Sequence, residues 1–228
     1  MSALPLQNVV IAFDLDGTLA DTAPDLHTAL CATMTEIGLP APTFTAMRPM
    51  IGHGARVLIE RAGAAAKEGF CTERLDQLTA RFIAHYSQAL AVESKANPGL
   101  SDCLDALSAD GAAFVVCTNK RTDLSIQLLE ALGLRARFRA IIGADAVAHK
   151  KPDPGHYRAA IAAGGGQIGR SLMVGDSAAD FESAHGAGAS CVLTTFGYSQ
   201  VPVAELGATA LIDHFDQLPA IARRILAA

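Results

Sequence analysis

From Asn97-Pro98-Gly99 onward the chain alternates short apolar runs with helix-spaced segments, and that alternation admits few folds. Leu100, Leu104 and Leu107 fall on one helical face, an apolar run follows at 113–117, and Leu124, Leu128 and Leu132 mark another helix. Further strands are expected near 140–143, 171–174, 190–194 and 210–212. Strands separated by helices pair in parallel through right-handed crossovers, which puts helices on both faces of one sheet. The β-branched run Val9-Val10-Ile11-Ala12-Phe13 adds a buried strand that ends at Asp14. The expected fold is α/β, a doubly wound, Rossmann-like parallel sheet.

Between about 22 and 92 the strand signal disappears. Leu26, Leu30, Met34 and Ile37 share a helical face, with Thr22 and Asp25 able to cap that helix and Pro24 in its first turn. A shorter helix is expected near 55–63, after the glycines of Gly52-His53-Gly54. Leu75, Leu78, Phe82, Tyr86 and Leu90 mark a second long amphipathic helix. The expected division is therefore a core of residues 1–19 and 93–228, with an all-helical cap at 20–92 inserted after the first strand. An insertion at that carboxyl end lies where open α/β sheets bind ligands.

Composition narrows the function. The 228 residues are 50% hydrophobic and 18% charged, enough for a sizeable core. A net charge of −5 with no basic stripe excludes a nucleic-acid partner. No apolar run spans a bilayer, and no secretory signal opens the chain. Five scattered cysteines without CxxC spacing read as reduced thiols, and the expected compartment is the cytoplasm.

Four strand ends carry polar residues suited to phosphoryl chemistry. In Asp14-Leu15-Asp16-Gly17-Thr18 two carboxylates leave a buried strand into a loop whose glycine can turn backbone N–H groups toward an anion. Thr118-Asn119-Lys120 follows the run at 113–117. Lys151 precedes Pro152, which holds it on a shaped loop. Val174-Gly175-Asp176-Ser177, with Asp180 four residues on, places an Asp beside Gly where hard cations are often bound. Each alone has a plain structural reading: a turn, a helix cap or a solvated lysine pair. Met34, Phe82 and Tyr86 read as packing within the cap, and Gly164-Gly165-Gly166 as a helix terminus. His27, His85, His149, His156 and His214 read as surface or loop residues.

Taken in order, Asp14-x-Asp16-Gly-Thr, Thr118, Lys151 and Gly175-Asp176-x-x-x-Asp180 resemble the four motifs of the haloacid dehalogenase-like phosphohydrolases. The resemblance covers essentially the whole chain. It implies that Asp14 attacks phosphorus to form a phosphoaspartate, and that Asp16 protonates the leaving alkoxide and then activates water. It further implies Mg²⁺ on the Asp14 carboxylate, the Asp16 carbonyl and Asp176, with Lys151 and Thr118 on the phosphoryl oxygens. Asp180, with Gly175 and Ser177 beside it, would orient Lys151 or a metal-bound water. Asp16 points to a phosphatase or mutase, because the dehalogenases lack an acid there.

The segment 51–62, Thr118-Asn119-Lys120 and Phe196-Gly197-Tyr198 resemble bacterial phosphoglycolate phosphatases, which favour Asn where His53 stands. The expected reaction is hydrolysis of 2-phosphoglycolate to glycolate and phosphate, by a monomer or homodimer whose partner is a small phosphorylated metabolite. Thr18, Asn119, Lys120, Arg56 and His53 are the candidate substrate-binding residues. Arg56 is the first candidate to neutralise the substrate carboxylate, His53 the second and Lys120, from the core side, the third, while Arg56 reads equally well as a solvated helix residue. The residues leave open a sugar-phosphate phosphatase, for example on N-acetylmuramate 6-phosphate, a β-phosphoglucomutase-like mutase, and a non-enzymatic binding protein on the same fold.

Overall fold

The computed structural model describes residues 4–226. In chain order the elements are β1 (Val10–Phe13), β2 (Ala20–Asp21), α1 (Ala23–Glu36), α2 (Phe44–Met47), α3 (Ala55–Ala65), α4 (Thr72–Gln88), β3 (Lys95–Ala96) and α5 (Leu100–Ala109). There follow β4 (Ala113–Cys117), α6 (Thr122–Ala131), β5 (Ala140–Ile142), α7 (Pro154–Ala163) and β6 (Ser171–Gly175). The chain ends with α8 (Ala178–Ala187), β7 (Ser190–Thr194), β8 (Ala210–Ile212) and α9 (Leu218–Leu226).

The expected strands assemble into one six-stranded sheet of order β5-β4-β1-β6-β7-β8, every pair parallel. Alternating side chains of β1 feed opposite layers. Ile11 and Phe13 pack with α5, α6 and α9, whereas Val10 and Ala12 pack with α7 and α8. The sheet is thus buried on both faces, which is why its strands read as continuous apolar runs. Crossovers leave β1 toward β4 on one side and return to β6 on the other, so its carboxyl end is the switch point. Phe13 pairs with Val116 and with Val174, and this register brings the ends of three strands together.

Helices α1 to α4 close around an apolar cluster of their own, containing Leu30, Met34, Ile59, Leu78 and Phe82. A two-stranded antiparallel ribbon, β2 with β3, carries the chain out to these helices and back. The start of α1 differs from expectation. Thr22 gives its hydroxyl to Asp16, and Asp25 accepts the N–H groups of Glu93 and Ser94 on the returning segment. Neither caps the helix. The Tyr198 hydroxyl, contributed from beyond β7, accepts the N–H groups of Thr22 and Ala23 instead. Gly164-Gly165-Gly166 does end a helix, α7. All five cysteines are free. No helix among the described residues is long and apolar enough to cross a membrane.

One histidine departs from its expected place. His156 lies in the first turn of α7 and is fully buried. Its Nδ1 accepts the Lys151 backbone N–H at 3.1 Å and its Nε2 donates to the Ile142 carbonyl at 3.0 Å, which fixes a neutral tautomer between α7, β5 and the loop carrying Lys151. Burial, helped by the Lys151 cation, holds His156 down at about 4, below its ordinary 6.5. The ring stays neutral when folded and takes a proton when unfolded below about 6.5. Its stabilising contribution is therefore complete above 6.5 and is lost as pH falls toward 4, a difference of roughly 2–4 kcal/mol. We expect the urea-unfolding free energy of the wild type to fall by that much more than the non-titrating His156→Gln variant between pH 7 and 4. Parallel pH profiles would show that the buried ring is not held neutral.

Candidate active site

Three adjacent strand ends converge at the switch point. Asp14 follows β1, Thr118 follows β4, and Asp176 follows β6, all buried. Lys151 reaches between them from the loop before α7, and its side chain is 1% exposed. Its Nζ lies 3.0 Å from Asp14 Oδ1 and 2.6 Å from Asp180 Oδ1. Burial disfavours the charged form of this lysine, but Asp14 and Asp180 outweigh it and hold the ammonium above its ordinary range.

Asp180 is fixed by the start of α8. Its Oδ2 accepts the backbone N–H groups of Asp176 and Ser177 and the Ser177 hydroxyl, closing a capping box at the helix N-terminus. A side chain on Gly175 would collide with the Asp180 carboxylate, so glycine is required there. Asp176 is held in turn by the Tyr198 N–H at 2.7 Å on Oδ2 and by the Thr18 hydroxyl at 3.1 Å on Oδ1. Gly17, at φ +85°, turns the loop so tightly that a Cβ would sit 2.6 Å from Asp176 Oδ2.

Carboxylate oxygens of Asp14, Asp176 and Asp180 all lie within 4.8 Å of one another. Burial raises Asp14 to about 6 against the opposing pull of Lys151, and raises Asp176 as well, with Asp180 and Asp14 adding to it. Three buried carboxylates facing one lysine leave excess negative charge, and all the donors are oxygens. That set fits a hard divalent cation, which would keep the acids ionised.

Asp16 faces the other way, toward the helical segment. Its Oδ1 accepts from the Thr22 hydroxyl at 2.7 Å and from Lys120 Nζ at 2.8 Å, and the same ammonium lies 3.1 Å from Oδ2. Asp14, Asp16, Thr118, Asn119 and Lys120 line a cavity whose far wall is Gly52 and Gly54 before α3 together with Phe82 and Tyr86 of α4. The Asn119 amide bridges the two sides, donating 3.0 Å bonds to the carbonyls of Gly52 and Lys151.

The remaining sequence-predicted residues are placed differently. Thr18 is buried against Asp176. Arg56 pairs with Asp76 at 2.9 Å, both side chains about half exposed or more, and does not line the cavity. His53 is half-buried outside the lining, and its carbonyl accepts from Lys150. Sequence reasoning left Lys150, His156, Tyr86 and Tyr198 without functional roles. Only Tyr198 carried a signal, as part of Phe196-Gly197-Tyr198.

Residues 11–194 match the family model of the haloacid dehalogenase-like hydrolases. A phosphoglycolate phosphatase of Caulobacter vibrioides is 46% identical over 214 residues, covering 94% of this chain and 90% of that protein. One of Agrobacterium fabrum is 42% identical over 99% of this chain and 97% of its own length. Among solved structures, a predicted phosphoglycolate phosphatase from Haemophilus somnus superposes with a TM-score of 0.87 at 29% identity, over 95% of this chain and 98% of that one. CbbY from Rhodobacter sphaeroides in complex with phosphate gives 0.78 at 25% identity, over 93% and 96%. Sequence match, sheet order and the buried acidic cluster agree, and the chain belongs to the haloacid dehalogenase-like hydrolases.

Proposed function

We propose that this chain is a Mg²⁺-dependent phosphoric monoester hydrolase that cleaves 2-phosphoglycolate to glycolate and phosphate through a phosphoaspartate on Asp14. The observation that carries the chemistry is the pairing of Asp14 with buried Lys151 beside two further buried carboxylates. The substrate reading rests on relatives of 46% and 42% identity that carry that activity in their names. The small phosphorylated metabolite meets the protein in the cytoplasm, and residues 20–92 act as a cap over a core of 1–19 and 93–228.

Asp14 Oδ1 accepts the Leu15 N–H at 2.7 Å and contacts Lys151, while among the described residues no donor is directed at Oδ2. That oxygen is the nucleophile. Attack forms the acyl phosphate and breaks the bond from phosphorus to the ester oxygen, which takes its proton from Asp16. Lys151 and the Thr118 hydroxyl stabilise charge on the phosphoryl oxygens. Asp16 then accepts a proton from the water that opens the acyl phosphate. Asp14, the Asp16 carbonyl and Asp176 would hold Mg²⁺, which when bound would supply charge neutralisation on the transferring group. Asp180 positions Lys151, and Thr18 positions Asp176. Free phosphate as product separates hydrolysis from a mutase.

A panel of phosphate esters assayed with magnesium should rank 2-phosphoglycolate first by kcat/KM, and a sugar phosphate at the top would replace it as substrate. Asp14→Asn should abolish turnover with the fold retained. Acid quench of the wild type during turnover should leave the phosphoryl label on Asp14, and label on any other residue would refute the nucleophile. Asp16→Asn should slow phosphorylation by an alkyl ester by roughly 10²–10⁴-fold and by an aryl phosphate much less, because an aryloxide needs little protonation. Equal losses in single turnover would remove Asp16 from the acid role.

A further inference from the structure

The wall of the active-site cavity facing the cap is mostly apolar, with Leu26, Ile51, Leu58, Phe82 and Leu124 in its lining. Tyr86 interrupts it from the cap side, and Lys120 meets it from the core side. Lys120, on the loop after β4, is 8% exposed. Its ammonium rests on the Asp16 carboxylate and lies 4.4 Å from the centroid of the Tyr86 ring. Tyr86, on α4, is 1% exposed and stacks on Phe82 with ring centroids 6.2 Å apart. Among the described residues its hydroxyl makes no hydrogen bond of good geometry, and the polar group nearest to interacting with it is the Lys120 ammonium. Phenylalanine would fill the same space and stack the same way, and a buried hydroxyl left unbonded is destabilising. The hydroxyl and the Lys120 ammonium thus stand side by side in the cavity lining with hydrogen-bonding capacity to spare.

We infer that Lys120 and Tyr86 together receive a carboxylate on the leaving group of the substrate, one carbon from the ester oxygen. The inference deepens the proposed hydrolysis and rests on the role given there to Asp16. To protonate the ester oxygen, Asp16 must lie about 2.6–3.2 Å from it. Lys120 is within hydrogen-bond distance of the same Asp16 carboxylate. In an ester of the form O–CH₂–CO₂⁻, bond lengths and angles place the carboxylate oxygens roughly 2.6–3.6 Å from the ester oxygen. One small substrate can therefore put its ester oxygen on Asp16 and its carboxylate on Lys120 together. The ammonium neutralises the desolvated anion and the Tyr86 hydroxyl donates to it, a charge-assisted bond. The other nearby cations are committed elsewhere. Arg56 pairs with Asp76 away from the cavity, Arg121 at the rim makes two bonds to Asp123, and Lys150 is bonded to the His53 carbonyl. Lys120 belongs to the core and Tyr86 to the cap, so a carboxylate held by both also holds the cleft shut.

The test compares 2-phosphoglycolate with ethyl phosphate, which carries a methyl group in place of the carboxylate. Tyr86→Phe retains the ring and its stack and removes one oxygen. We expect it to lower kcat/KM for 2-phosphoglycolate by roughly ten- to hundredfold, mostly through KM, and to change ethyl phosphate less than about twofold. Lys120→Met keeps the length and removes the charge. Any effect it exerts through Asp16 is common to both esters and divides out of their ratio, which should still shift by more than about thirtyfold against 2-phosphoglycolate. Calorimetric binding of 2-phosphoglycolate to Asp14→Asn, with and without Tyr86→Phe, gives the same comparison without turnover and should show the same ten- to hundredfold weakening. A wild type with no preference for 2-phosphoglycolate over ethyl phosphate overturns the substrate reading and this inference with it. A wild-type preference that survives both substitutions overturns the inference alone, as do losses equal for the two esters.

Discussion

The Lys151 ammonium is the interaction on which the site depends. It is buried between Asp14 and Asp180, and either carboxylate without it would be an uncompensated charge in an apolar interior. The surrounding structure serves to keep that ammonium where it is. The capping box of α8 fixes Asp180, and neutral His156 ties the Lys151 backbone to α7 and β5. A single cation thus aligns Asp14 at the end of one strand with a helix that begins after another. The same arrangement leaves negative charge in excess, and its oxygen donors suit a metal cation.

The helical segment is joined to this centre by polar contacts more than by packing alone. Tyr198 is the main connector. Its backbone N–H holds Asp176, its hydroxyl binds the first N–H groups of α1 and donates to Asp21, and its ring lies 5.0 Å from the Arg48 guanidinium. Asp25 fastens the returning chain at Glu93 and Ser94. The Asn119 amide crosses from the loop after β4 to the Gly52 carbonyl. Such hydrogen bonds are each worth only about 0.5–1.5 kcal/mol, more where a charge takes part. They fix orientation without fusing the two cores, which remain separate apolar clusters. A cavity built between them draws one wall from each.

Much of the sheet was legible because its physics is local. Short β-branched runs bounded by turns, alternating with helical spacing, leave little choice for a chain that must bury both faces of a sheet. The strands expected at 113–117, 171–174 and 190–194 are β4, β6 and β7 almost residue for residue. The convergence of Asp14, Thr118, Lys151 and Asp176 was legible for a related reason. Each lies at or near the end of a strand or in a loop shaped by Pro, and a parallel sheet collects such positions at one edge.

Where a side chain reached across the cleft, the sequence was silent or misleading. Thr22 and Asp25 have the composition of helix caps, yet their oxygens go to Asp16 and to the 93–94 backbone, and Tyr198, 176 residues from Thr22, takes over the capping. Arg56, beside Gly52 and Gly54, looked the better cation for the substrate and Lys120 the third choice, but Arg56 pairs in solvent and Lys120 is buried against Asp16 and Tyr86. His156 has nothing in its neighbours along the chain to mark it as buried. The amino-acid sequence by itself determined which strands form the six-stranded sheet, that they lie parallel, and which acids and lysine stand at or near their ends, because hydrophobic periodicity and chain direction act over a few residues; the antiparallel ribbon of β2 and β3 was not legible in it. Tertiary structure alone decided which partner each polar group takes, because that choice depends on burial and on distances between residues far apart in the chain.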